Sequence, residues 1–277
     1  MIFTSYRYKN KNLSLIGAVI LSLTSLLGLQ ACGGGSSTPA EGVKADPSGY
    51  YTGTASVKQA DNSTAFEITD LQVFVSGTRI MAMSVDHVIL YDITVTDITE
   101  NTVTGSVNVY RNGVLLDTTT LTGTIAEGTS LTGTFAGAGI VNGSFTVSYD
   151  TIVNAVNAVT AETNIFGWTG YLNADTAEIG FDNDSAGFVT GSTFSSSSNS
   201  PVFQYCKIST DNTSTFTAIN GLALYSVTFV MQSCTDTNVD GTYTGFGIIK
   251  DSQSVTAGLL PMAFSNANFA GTINFSL

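Results

Sequence analysis

From Thr102 to Asn112 the chain reads TVTGSVNVYRN, with Val103, Val107 and Val109 on one parity and Thr102, Thr104, Ser106 and Asn108 on the other. A period of two is that of a strand with one buried face. Asn112-Gly113 then supplies the two positive-φ positions of a tight hairpin turn, and VLLDTTTLTGTI continues beyond it. Runs of the same kind are YYTGTASVK, ITDLQVFVS, RIMAMSVD, ILYDITVTDI, SLTGTFAGAGI and GSFTVSYD, which makes about eight strands before Asp150. Their even spacing predicts an antiparallel meander, closed as a barrel or folded as a sandwich.

One segment has a different period. In DTIVNAVNAVTAET, residues 150–163, Ile152, Val156 and Val159 fall at i, i+4 and i+7, and Asp150 is placed to cap the first turn. A short helix between two strand blocks is predicted. It divides an N-terminal β domain, residues 49–160, from a C-terminal β domain, residues 161–277. In the second block the runs are FGWTGYLNAD, AEIGFDND, AGFVTGSTF, VFQYCKIST, TFTAI, LALYSVTFVMQS, TYTGFGIIK, SVTAGLLPMAF and FAGTINFSL. The phrases at residues 49–53 (GYYTG), 167–171 (GWTGY) and 241–245 (GTYTG) resemble one another, which implies a weak internal duplication. A glycine beside an aromatic lets a ring lie flat on bare backbone or lets the strand bend.

Before these strands the character of the chain changes. Residues 1–12 carry Arg7, Lys9 and Lys11 and no acid, residues 13–29 are rich in Leu, Ile and Val, and small Ala31 precedes Cys32, the order of a cleavable export signal. The apolar run contains Ser14, Ser22, Thr24 and Ser25 and falls short of the roughly 20 residues of a spanning helix. Residues 1–31 are therefore expected to be removed as a signal peptide. Leu29-Gln30-Ala31-Cys32 resembles the lipobox of bacterial lipoproteins, in which the cysteine becomes the first mature residue. That resemblance implies a diacylglyceryl group on the Cys32 thiol and an acyl chain on the new amino terminus. With Gly33 following in place of Asp, it also implies sorting to the outer membrane of a Gram-negative bacterium, facing either the periplasm or the outside. More than one acyl chain makes such attachment stable, at about 0.8 kcal/mol per buried methylene. Residues 32–48 are Gly-, Ser- and Pro-rich and read as a flexible tether. The glycine and aromatic opening the first strand are similar to the start of lipocalin-like barrels, a likeness of shape alone, because the Gly-x-Trp spacing is absent.

Charge narrows the partners. The signal holds three of the nine Lys and Arg and none of the 21 Asp and Glu, leaving 6 basic residues against 21 acidic ones and a formal charge of −15. Such a chain has few cations to neutralise phosphates, so nucleic acid is not an expected partner. The expected partners are the membrane, through the lipid, and an unidentified small-molecule or protein ligand. Acidity of this degree serves solubility.

With Cys32 lipidated, Cys206 and Cys234 form an even pair in an oxidising compartment, and a structural disulfide is expected between them. Asn220-Gly221 lies at their midpoint as a hairpin turn. A turn centred there pairs residue numbers summing to 441, whereas the cysteines sum to 440, so a bulge is required. Alternatively Asp211-Asn212 turns the chain earlier and the bridge joins non-adjacent strands.

Candidate chemistry is sparse. His87 is the only histidine and is expected in a hairpin turn, where its neighbour Asp86 does not orient it. There is no Gly-x-Ser-x-Gly elbow. Asp236, Asn238 and Asp240 of DTNVDG stand at positions 1, 3 and 5 before a glycine, as in a calcium loop, but position 12 is Gly247, so Ca²⁺ is a weak candidate and no other cofactor is expected. Two functions from different classes follow. The first is a noncatalytic, lipid-anchored envelope protein with a binding or structural role. The second is an envelope hydrolase using carboxylates such as Asp182 and Asp184.

Overall fold

The computed structural model describes residues 43–59, 65–84, 86–137, 140–155, 168–173, 177–184, 186–194, 202–250 and 259–276. The expected signal peptide, Cys32, residues 32–42 of the tether and residues 156–163 of the expected helix lie outside the described residues. The fold is all-β and antiparallel, as the alternation predicts. β1 (Gly49–Gln59), β2 (Phe66–Ser76), β3 (Arg79–Ser84), β4 (Ile89–Thr99), β5 (Thr102–Arg111), β6 (Val114–Ala126), β7 (Ser130–Gly137) and β8 (Ile140–Tyr149) follow one another as a meander. The meander becomes a closed barrel when β8 pairs with β1, Tyr51 opposite Tyr149. Closure removes both sheet edges.

The inward parity read from the sequence is the one observed: Val103, Val107 and Val109 are buried inside the barrel with Tyr91, Ile93, Leu121 and Leu131. Asn112 (φ 51°) and Gly113 (φ 80°) make the β5–β6 turn as their backbone freedom requires. Residues 45–48, placed by composition in the tether, are packed against the barrel. Ala45 N–H donates to the Glu100 carbonyl (2.9 Å), Pro47 is buried, and the Tyr51 hydroxyl donates to the Pro47 carbonyl (2.8 Å). Proline and alanine carry enough apolar surface to plug a barrel mouth once the strand they precede is in place.

α1 (Thr151–Asn154) begins where expected, with the Asp150 carboxylate accepting from Ile152 N–H (3.2 Å) and Val153 N–H (3.0 Å). Of its predicted apolar stripe only Ile152 lies among the described residues, and it is 82% exposed. One turn buries no face, and the anchor is polar: the Asn154 amide donates to the Tyr50 carbonyl (2.7 Å) and accepts from Tyr50 N–H (2.9 Å).

The second block forms β9 (Trp168–Leu172), β10 (Ala177–Asn183), β11 (Val189–Phe194), β12 (Lys207–Ile208), β13 (Thr215–Ala218), β14 (Leu224–Gln232), β15 (Gly241–Ile248), β16 (Leu259–Ser265) and β17 (Ala270–Ser276). These nine strands make one sheet, in the order β11-β10-β9-β17-β16-β15-β14-β12 with β13 also on β14. It is a half-barrel whose ends meet at a bridge between Phe188 and Thr215, where Phe216 N–H donates to the Gly187 carbonyl (2.6 Å). As in the barrel, the first strand of the block pairs with the last, β9 with β17. The two GYYTG-like phrases on β1 and β9 therefore occupy equivalent places. A Cβ on Gly53 would lie 2.2 Å from the Thr146 carbonyl oxygen of β8, and one on Gly170 2.8 Å from the Asn274 carbonyl oxygen of β17. Both glycines let the closing strands approach.

Gly42–Leu277 is one compact unit with three apolar clusters. One fills the barrel and one the half-barrel. The third joins Tyr50, Phe74, Met81, Met83, Leu90 and Tyr110 on the outer barrel face to Leu224, Phe246, Ile248 and Ala263 of the second sheet. Arg79 of β3 locks this junction. Its Nε and Nη2 donate to the two Asp92 oxygens (2.9 and 2.8 Å), Nη1 donates to Thr244 Oγ1 (2.8 Å), and Nη2 donates to Ser265 Oγ (2.9 Å).

Candidate functional site

The barrel interior is where this fold leaves room. An eight-stranded barrel is just wide enough to be filled by side chains or to hold one small ligand. Here Ala55 and Ala82 point inward, and across β7 and β8 two glycines face two rings: Gly133 is opposite Phe145 and Gly143 opposite Phe135. A Cβ on Gly143 would stand 2.3 Å from the Phe135 ring, and one on Gly133 2.6 Å from that of Phe145, so each ring lies on bare backbone. The space left between them and Tyr91, Ile93, Val107 and Leu121 is a cavity in which a water centre ranges over about 30 Å³. One water needs roughly 10 to 15 Å³ by that measure. Its lining is apolar apart from Thr132, and Pro47 closes the end from which the tether enters. The Tyr91 ring packs on Phe135 (5.1 Å between centroids), and burial holds its phenol far above the usual range.

At the opposite mouth the single histidine lies in the β3–β4 turn, as expected, with a carboxylate neighbour that sequence adjacency does not reveal. β2–β3 pairing brings Asp70 beside it. Ser84 Oγ donates to Asp70 Oδ1 (2.6 Å), accepts from His87 N–H (3.1 Å), and lies 3.1 Å from His87 Nδ1, while the imidazole stacks on Phe66 (5.9 Å). Serine, histidine and aspartate thus meet, but the serine has no exposed surface and its proton is committed to the carboxylate. The group is built to hold a turn, since a nucleophile needs its hydroxyl open to substrate and paired to the imidazole.

The other sequence candidates lie in the second sheet. Asp184 Oδ1 accepts from the Ala186 and Phe188 N–H groups (both 2.9 Å), which makes it a turn residue, and Asp182 precedes it on β10. In DTNVDG, Asp236 Oδ1 accepts from the Asn238 backbone (3.0 Å) and amide (2.9 Å) and caps a 3₁₀ turn over Thr237–Val239. Asp240 Oδ1 instead accepts from Cys234 N–H (2.9 Å), apart from the Asp236–Asn238 pair. Among the described residues no group of three His, Cys, Asp or Glu side chains is placed to hold a metal.

The loop is a corner next to a cysteine pair. Cys206 and Cys234 are bonded (S–S 2.00 Å), just outside the Lys207–Gln232 pair of β12 and β14. The required irregularity is larger than one residue. Partner numbers sum to 443 along β13 and 439 along β12, and the stretch 209–214 absorbs the difference, with Asn212 at φ 65°. Asn220-Gly221 turns the chain between β13 and β14, whereas at Asp211-Asn212 it does not reverse: β12 and β13 both run antiparallel to β14, and the bridge joins the adjacent strands β12 and β14, not the non-adjacent ones of the alternative reading. Replacing both cysteines with serine is expected to cost about 3 to 4 kcal/mol, from the loop of 28 residues now left open in the unfolded chain. Thermal melts of the parent with and without reductant should reproduce the shift, and coincident midpoints would show that the bridge contributes nothing.

At the junction of the two sheets Lys250 sits over the Tyr50 ring (4.9 Å) and donates to Gln72 Oε1 (3.2 Å), and burial pushes its ammonium pKa down. The Tyr110 hydroxyl donates to the Asn266 carbonyl (2.5 Å), and burial pushes its pKa up to about 12. These groups fasten sheet to sheet. Compared with known proteins, the chain matches no family model, no curated protein and no solved structure.

Proposed function

We propose that this chain is a noncatalytic binding protein of the Gram-negative outer membrane, fastened by acyl chains on Cys32 and using its barrel as the binding body. The observation that carries the reading is the division of labour among its side chains. The interior of the barrel keeps an apolar space, while among the described residues Ser84, His87, Asp184, Asp236 and Asp240 each hold a turn or a corner. A catalytic site needs such groups converging on one open place. The lipobox-like LQAC and the polar stretch behind it supply the anchor and the standoff.

In cells, the Cys32→Ser chain is expected to leave the membrane fraction and to keep its first 31 residues, whereas the parent should carry diacylglyceryl and acyl masses on Cys32. Unchanged membrane recovery together with an unacylated parent would overturn the anchor. Purified protein from Gly33 onward should show no turnover on esterase, glycosidase and peptidase substrates. Turnover that disappears in Asp182→Asn or Asp184→Asn would replace this reading with that of a hydrolase.

A further inference from the structure

Asn-Gly stands at residues 112–113, 142–143 and 220–221, and the fold gives each pair different surroundings. An asparagine followed by glycine is chemically labile, because a glycine nitrogen is not hindered by a neighbouring side chain when it attacks the asparagine amide carbon. At 142–143 the pair lies inside β8, opposite Lys58 and Val57 of β1, and the Phe135 ring of β7 covers the glycine. At 112–113 the backbone is clamped. Asn112 N–H donates to the Val88 carbonyl (2.9 Å), the Gly113 carbonyl accepts from Ala270 N–H (2.9 Å), and a Cβ on Gly113 would stand 2.6 Å from Asn173 Nδ2. Asn220 and Gly221 are instead both exposed at the tip of the β13–β14 hairpin, in a turn closed by Leu222 N–H donating to the Ile219 carbonyl (3.1 Å). Nothing lies within 4 Å of a Cβ built on Gly221, and among the described residues no protein group holds the Asn220 amide or the Gly221 N–H.

We propose that Asn220 is a self-modification site, at which the Gly221 nitrogen closes on the Asn220 side chain and converts it, without an enzyme, to isoaspartate and aspartate. Gly221 N–H loses its proton to solvent, the nitrogen bonds to the side-chain carbonyl carbon, and the bond from that carbon to the amide nitrogen breaks, the nitrogen leaving as ammonia. Water then opens the cyclic imide. Opening at the side-chain carbonyl gives aspartate, and opening at the backbone carbonyl gives isoaspartate, in which the chain runs through the side chain and is longer by one methylene. Water is consumed, ammonia is released, and nothing is oxidised or reduced. The attack needs the backbone to rotate until the nitrogen faces the side-chain carbon. Gly221, at φ 78° with open space around it, permits that rotation, whereas the other two pairs must first leave their bonds or their ladder. Either product adds a negative charge. Isoaspartate also lengthens the turn between Ile219 and Leu222, both of which pack against the apolar cluster that joins the two sheets, so chemical ageing at this tip reaches their junction.

The test uses the chain from Gly33 onward, which contains the whole compact unit 42–277. It is held folded in mildly alkaline buffer and its peptides are mapped by mass spectrometry at intervals, with fragmentation distinguishing isoaspartate from aspartate. The peptide holding 220–221 is expected to exchange amide for acid about tenfold faster than those holding 112–113 and 142–143, which react only from locally opened chains. In urea the three should react within about threefold of one another, because the fold no longer separates them. Asn220→Gln should remove the reaction at this turn. As the parent ages its thermal midpoint is expected to fall by about 2 to 4 °C, the shift from one lost turn bond, and that of Asn220→Gln should hold. No conversion at 220, equal rates at the three pairs in the folded chain, or faster conversion at either of the other two overturns the site. A midpoint that falls equally in the parent and in Asn220→Gln overturns the consequence for the junction.

Discussion

Gly245→Ala is expected to destabilise the protein by about 3 kcal/mol or more, read as the shift in a urea or thermal transition followed by far-ultraviolet circular dichroism. A Cβ at this β15 position would stand 1.9 Å from the Ala263 carbonyl oxygen and 2.6 Å from the Phe264 Cα of β16. The obstacle is backbone, so no side chain rotates away, and a strand must move. That strand carries Phe264, fully buried, whose ring meets Phe229 edge-on (5.3 Å) and Tyr243 (5.9 Å) in the half-barrel core. Displacing it therefore separates aromatic contacts as well as ladder bonds. Gly128→Ala is the control. Its φ of 61° is left-handed, but nothing lies within 4 Å of its Cβ, so only the conformational cost of about 1 kcal/mol applies. If the two variants lost equal stability, close strand approach would not be the reason for glycine at 245.

The glycine also shows how far the sequence was legible. GYYTG, GWTGY and GTYTG are recognisable as bends beside aromatics, but which strand presses on each glycine is a fact of pairing. The eight runs before Asp150 and the nine after Thr163 each correspond to a strand, because alternation and Asn-Gly or Gly-rich turns are local properties of the chain. Burial of the outer face is not local. RIMAMS has no alternation because both of its faces are covered, Ile80 and Ala82 by the barrel interior and Met81 and Met83 by the second sheet. Tyr110 likewise sits on the polar parity of TVTGSVNVYRN yet is 1% exposed. The disulfide was legible from cysteine parity, whereas its register depended on the four-residue irregularity at 209–214. The lumen cavity had no signature at all, since alanine and glycine on an inward parity read as ordinary filling until the rings opposite them are placed. Asp70 came to His87 through a register that no spacing in the sequence encodes.

Removal of Arg79 should be nearly as damaging, and for the opposite reason: here the loss is of a partner, not of space. The Arg79 and Asp92 side chains are 27% and 14% exposed, and the guanidinium is the group that joins the Asp92 carboxylate to Thr244 and Ser265 of the second sheet. Arg79→Met keeps the stem over Phe246, where the guanidinium carbon now lies 5.8 Å from the ring centroid, and strands the carboxylate. Ser265 Oγ still donates to it (2.5 Å), which offsets part of the loss. Breaking a fully buried pair from one side costs about 3 to 5 kcal/mol, and solvent reaching a quarter of the arginine reduces this to about 2 to 3. Asp92→Asn retains an acceptor for Nε and should lose about 1 kcal/mol. Arg79→Met with Asp92→Leu removes both charges and should recover most of the stability lost in the single Arg79 variant, because the uncompensated buried carboxylate is gone. Denaturant midpoints for the four chains decide it. A double variant no more stable than the Arg79→Met single would mean that the pair acts through shape and not through charge, and the junction between the two sheets would then rest on Tyr50, Phe74, Met81 and their apolar partners alone.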